Sequence, residues 1–135
     1  DAAPRRAGEA SPVVLQFDAP GAEPVIRTVE WTQEAAYAFE PGKATDANLV
    51  VYNLGERQVA GTIQMELQFP ERTLRERSWS LTLEPLSSTE LSLEVTWPQD
   101  ASAQDSWVVF RGDFGEAGRP MLSVRNRALH GGDSR

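Results

Sequence analysis

The chain has 135 residues, the size of one domain, since chains usually divide only beyond about 250 residues. Hydrophobic residues at 40% and charged residues at 24% are ordinary for a folded protein and exclude wholesale disorder. With 20 acids against 13 bases the net charge is -7, which argues against a nucleic-acid or anionic-membrane partner, because both require clustered positive charge. Cysteine is absent, so disulfides, thiolate zinc sites and cysteine nucleophiles drop out together. No stretch approaches the roughly 20 apolar residues that span a bilayer, so membrane insertion is not expected.

Residues 1–11 are small, polar and aperiodic and read as a flexible N-terminal linker. Asp1 stands where Met opens a translated chain, as expected of a processed protein or a piece of a longer one. Residues 12–129 form the expected single β-sandwich domain, and 12–39 are either part of it or an N-terminal extension. Residues 13–17, 25–31 and 36–39 are the weaker strand candidates in that stretch. The patch 32–38 is the only helix-like one, and it is too short to stand alone. Residues 49–52 are apolar on both parities, which suits a central strand covered on both faces.

The clearest strand is 59–69. Val59, Ile63, Met65, Leu67 and Phe69 share one parity, and Thr62, Gln64, Glu66 and Gln68 share the other, so one wall faces a core and one faces water. Pro70 ends it. Trp79, Leu81 and Leu83 repeat the alternation, as do Leu91, Leu93, Val95 and Trp97, with a turn at 84–88 between them. Arg75 and Arg77 share parity with Trp79, so either the apolar wall stops there or the strand bulges. Residues 107–110 are again apolar on both parities, and 121–125 make the last strand. Residues 130–135 read as a flexible C-terminal tail that carries His130, the only histidine. Strands at roughly 10-residue spacing without crossover helices predict an all-β protein of antiparallel sheets, with seven core strands in two packed layers.

The run Asn48-Leu49-Val50-Val51-Tyr52-Asn53-Leu54-Gly55-Glu56 resembles the second strand of bacterial immunoglobulin-like and fibronectin type III-like modules. The segment 83–98, a Leu-x-Pro followed by a polar turn, an alternating strand and Pro98, is similar to a later part of the same modules. These include the NEW-type domain associated with bacterial α-galactosidases and the CARDB-type domain of cell adhesion. The resemblance covers residues 46–126, and it departs from the pattern at Leu86, where a glycine usually follows the proline. It implies an immunoglobulin-like antiparallel β-sandwich of about seven to nine strands. In such a module Asn53 would hydrogen-bond its turn and Gly55 would supply a positive φ. Trp79, Leu91, Val95 and Trp97 would fill the space between the sheets, with Trp79→Ala costing about 3–5 kcal/mol.

A histidine-based triad or metal site has no partner for His130, and no glycine loop precedes a helix to cradle phosphate. Acids near the expected loops are Asp100, Asp105, Asp113 and Glu116. A glycosidase needs only two such groups, and Asp113 and Glu116 are the weak candidates for a metal, against a default reading as soluble turns. No cofactor is implied. Exposed aromatic rings are the sharper possibility, because sugar rings stack on them. Trp31, Tyr37 and Tyr52 are the glycan-binding candidates, with plain packing as the competing reading; Trp107 is ambiguous.

The function expected from the resemblance is that of a non-catalytic accessory module of an exported bacterial multidomain protein, extracellular or periplasmic. The parent is expected to be a carbohydrate-active enzyme, with the module acting as a spacer and orienting domain or a weak glycan binder. Its partner is then a neighbouring domain of the same polypeptide, or polysaccharide. The alternative is an adhesion or protein–protein interaction module that binds through a sheet edge or an apolar sheet face, which the doubly apolar 107–110 favours.

Overall fold

The computed structural model describes residues 12–19, 23–29, 32–99 and 106–126, with no side chain described for 23–29, 32 and 33. Period-two patterning becomes nine strands there: β1 (Val13–Asp18), β2 (Glu23–Val29), β3 (Thr32–Tyr37), β4 (Ala44–Asn53), β5 (Val59–Gln68), β6 (Thr73–Leu83), β7 (Ser87–Thr96), β8 (Trp107–Asp113) and β9 (Met121–Asn126). A single 3-10 turn, Gly115–Ala117, joins the last two.

The strands form a β-sandwich. One sheet runs β1-β4-β7, and the other runs β2-β3-β9-β8-β5-β6. Strands β1 and β3, from the stretch 12–39, pair with β4 and β9 respectively. The helix-like patch at 32–38 is therefore a strand, because pairing with β9 overrides a weak local preference. The expectation of wholly antiparallel sheets is corrected at the same place, since β3 lies parallel to β9. A parallel pair needs a long connection, and here the rest of the sandwich, residues 38–120, supplies it without an α-helix among the described residues.

The core lies where the inward parities meet. Ile63, Met65 and Leu67 of β5, with Val108 and Phe110 of β8 beside them, share one buried cluster with Leu49 and Val51 of β4 in the other sheet. Phe39 and Trp97, just beyond β3 and β7, stack with ring centroids 5.1 Å apart and planes 10° apart. Phe69 meets Trp97 edge-on at 5.2 Å. Trp97 is fully buried, and its Nε1 has no hydrogen-bond partner among the described residues. The backbone holds it instead, with Trp97 N–H donating to the Lys43 carbonyl at 3.3 Å and Gly42 N–H donating to the Trp97 carbonyl at 2.7 Å.

Trp79 departs from expectation. It is only half-buried, because β6 is the last strand of its sheet and nothing covers its outer side among the described strands. The arginine anomaly resolves as a bulge. Met65 pairs with Arg77 and Glu66 with Arg75, so Glu76 is the extra residue and the parity reverses across it. Arg77 then stays on the Trp79 side, with its guanidinium 4.9 Å from the ring centroid, while Arg75 turns to the outer face beside Glu66.

Asn53 does what its position implies. Its Nδ2 donates to the carbonyls of Arg57 at 2.8 Å, Glu84 at 3.1 Å and Leu83 at 3.4 Å, and its Oδ1 accepts from Gly55 N–H at 3.0 Å. Gly55, however, does not adopt a positive φ; a Cβ there would come within 3.1 Å of the Pro12 Cβ, so close approach is what its position requires. The positive φ belongs to Leu86, at 54°. In the turn Glu84-Pro85-Leu86-Ser87 this is the position that favours glycine. Leu86 thus carries left-handed strain, offset by its N–H bond to the Gly55 carbonyl at 3.1 Å.

Two outcomes follow in thermal and urea unfolding. Leu86→Gly should be neutral or stabilise by up to about 1 kcal/mol, whereas Leu86→Ile should destabilise, because a β-branched residue tolerates this region worst. Trp97→Ala should cost about 3–5 kcal/mol and Trp79→Ala clearly less, in the order of their burial.

Candidate functional site

The outer face of the six-stranded sheet holds a feature that strand pairing assembles from distant sequence. Trp107 of β8 sits between Arg125 of β9 and Gln68 of β5. One row further along, Glu34 of β3, Ser123 of β9, Val109 of β8 and Glu66 of β5 stand in register. All point away from the core because they share the outward parity of their strands. Glu34, Gln68, Trp107, Val109, Ser123 and Arg125 line a shallow open groove of about 310 Å³.

The far wall of this groove is braced. Glu66 is only 8% exposed, and its carboxylate meets Arg111 Nε at 3.4 Å and Arg75 Nε at 3.9 Å, while Gln68 Nε2 donates to its Oε1 at 3.3 Å. A charge so shielded is held in place by its partners. Val109 is 3% exposed although it is on the outer face, so the longer side chains around it cover the aliphatic floor. Trp107 is half-buried, with the Arg125 guanidinium 6.0 Å from its ring centroid. Glu34 and Arg125 are both exposed and have no ion-pair partner among the described residues. The groove therefore brings an aromatic ring, a guanidinium, a carboxylate, an amide and a hydroxyl together on one sheet face.

The aromatic candidates fall in different places. Trp31 lies outside the described residues. Tyr37 turns toward the core, with its ring 4.8 Å from that of Phe39 and 6.2 Å from that of Phe17, so packing claims it. Tyr52 lies on the outer face of the three-stranded sheet, half-buried, and its hydroxyl donates to Gln16 Oε1 at 2.6 Å. Tyr37 and Tyr52 are not brought together. Trp107, ambiguous by pattern, lines the groove.

Asp113 Oδ1 accepts from Gly115 N–H at 3.1 Å and lies 3.9 Å from Arg119 Nε, so its carboxylate serves the turn. Glu116 is exposed on the 3-10 turn. Among the described residues no group of three or more His, Cys, Asp or Glu side chains gathers that could hold a metal ion. Asp100, Asp105 and His130 lie outside the described residues.

Sequence reasoning missed Glu34, Gln68, Ser123 and Arg125. Parity places Trp107 with Val109 and Ser123 with Arg125, but which strands neighbour one another is set by the fold.

No family model and no curated protein matches the chain. It is similar to solved structures at low identity. One is the cycloisomaltooligosaccharide glucanotransferase of Paenibacillus sp., at 17% identity and TM-score 0.47, over 66% of this chain and 12% of that one. A second is the sporulation control protein of Bacillus subtilis, at 13% identity and TM-score 0.45, over 88% of this chain and 51% of that one. A third is a family 123 glycoside hydrolase of Clostridium perfringens, at 8% identity and TM-score 0.49, over 87% of this chain and 28% of that one. The chain thus spans between an eighth and a half of the lengths of these proteins.

The two carboxylates of the face differ in role, and unfolding separates them. Glu66→Ala should lower stability by about 1 kcal/mol, since it removes a nearly buried carboxylate and its contacts to Gln68, Arg111 and the exposed Arg75. Glu34→Ala should change it by less than about 0.5 kcal/mol, as expected of an exposed side chain.

Proposed function

We propose that this chain is a non-catalytic, immunoglobulin-like accessory module of an exported bacterial multidomain protein, with a carbohydrate-active enzyme as the parent. It sets the distance and orientation of a neighbouring domain and adds weak glycan contact through the outer face of its six-stranded sheet. The groove around Trp107 is the observation that carries this reading. A half-buried ring gives the apolar surface on which the C–H face of a sugar stacks, and side-chain polar groups around it give direction to hydroxyls. The resemblance of residues 46–126 to bacterial accessory modules supports the same assignment.

The positions of the carboxylates support a non-catalytic role. Glu34 and Glu66 stand three strands apart, about 14 Å between backbones. Between them in the same row stand Ser123 and Val109, so no second acid lies beside either carboxylate there. Glu66 is moreover held between two arginines.

A second reading, an adhesion or protein–protein module, is favoured by Leu54 and Leu86. They are 61% and 71% exposed and stand at one end of the sandwich, where Leu86 N–H meets the Gly55 carbonyl. Affinity electrophoresis of the 135-residue chain through soluble polysaccharides separates the two. Retardation by a glycan, lost in Trp107→Ala and kept in Tyr52→Ala, is the expected result. Uniform mobility through the whole panel would sink the glycan contact and leave the protein-binding end as the leading site.

A further inference from the structure

Resting on that reading, we infer that the Trp107 groove selects neutral sugars and rejects acidic ones, with Glu34 and Arg125 acting as a donor–acceptor pair that straddles neighbouring hydroxyls. The two residues belong to adjacent strands, two register positions apart, since Glu34 pairs with Ser123 and Arg125 with Ala36. That places their backbones about 8 Å apart. Opposite charges so close would usually form an ion pair, yet neither has one among the described residues. Arg125 instead lies toward the Trp107 ring.

A ligand between them must accept from a guanidinium and donate to a carboxylate. Vicinal hydroxyls of an uncharged sugar do both, because each hydroxyl is donor and acceptor at once. A uronate or sulfate could satisfy Arg125 but would face the Glu34 carboxylate and the net charge of -7. Trp107 supplies the stacking surface beside this pair, and Gln68, across the ring from Arg125, supplies a second polar contact. The other acid near the groove, Glu66, is already satisfied by Arg75 and Arg111 and takes no part.

Titration calorimetry of the full 135-residue chain tests this with two neutral polymers, a mixed-linkage β-glucan and a galactomannan, and two acidic ones, polygalacturonate and alginate. The expected result is binding of a neutral polymer that is insensitive to salt between 50 and 500 mM. It should weaken about tenfold in Trp107→Ala and several-fold in each of Glu34→Gln and Arg125→Gln. Unchanged urea midpoints for Glu34→Gln and Arg125→Gln establish that their loss is local. Binding of an acidic polymer that falls with salt, vanishes in Arg125→Gln and strengthens in Glu34→Gln overturns the neutral selectivity while leaving the glycan-binding reading standing. Neutral binding untouched by all three substitutions overturns the assignment to this groove, again without touching the general reading. No binding of either class overturns both.

Discussion

The stacked pair of Phe39 and Trp97 is the contact on which this sandwich depends. A two-layer sheet protein without cysteine has no disulfide between its layers, so buried apolar area supplies most of the attraction. Trp97 enters from the end of the three-stranded sheet and Phe39 from the six-stranded one, and their planes lie 10° apart. Each ring is fixed from its backbone. Trp97 bonds to Gly42 and Lys43 through its main chain, and Phe39 N–H donates to Asn126 Oδ1 at 3.0 Å. Asn126 is itself buried and donates from its backbone N–H to the Ser106 carbonyl at 3.0 Å, so the end of β9 is locked to the same point.

That anchorage makes the outer face of the larger sheet a fixed platform. The inward residues of β8, Val108 and Phe110, are completely buried, which holds the strand from beneath and presents Trp107 and Val109 on the other side. Neighbouring β5 contributes Gln68 and Glu66, and β9 contributes Ser123 and Arg125. Their backbone spacing is that of a pleated sheet and cannot change without unzipping a ladder, so the floor of the groove is set by the fold. A glycan groove on such a floor, as proposed above, would be spared part of the ordering cost that a loop-borne site carries.

Opposite ends of the sandwich use the same device. Asn53 at the end of β4 collects three carbonyls and one N–H from two loops, and Asn126 at the end of β9 ties Phe39 to Ser106. Each replaces a run of loop hydrogen bonds by one buried side chain, which suits an amide that both donates and accepts. Around Asn53 the loops are drawn so close that Gly55 cannot carry a Cβ without pressing on Pro12. The left-handed position falls on Leu86, the residue that departs from the glycine of the resembling modules. The strain sits in a turn whose neighbouring bonds hold it there.

By itself the sequence determined the all-β class, most strand positions from 49 onward, the inward parity of Ile63, Met65, Leu67, Val95 and Trp97, and the hydrogen bond of Asn53 to its own turn. These follow from local rules, period-two alternation and turn chemistry, that act within a few residues. The tertiary structure alone decided that 32–37 is a strand parallel to β9, that Trp79 lies half-open on an edge strand, and that Tyr37 packs, partly buried, against the core. It also decided the candidate site, because Glu34, Gln68, Trp107 and Arg125 are up to 91 residues apart (125 minus 34) and meet only through strand order and register. Alternation gives each side chain a face, but it is the pairing of distant strands that gives each face its neighbours.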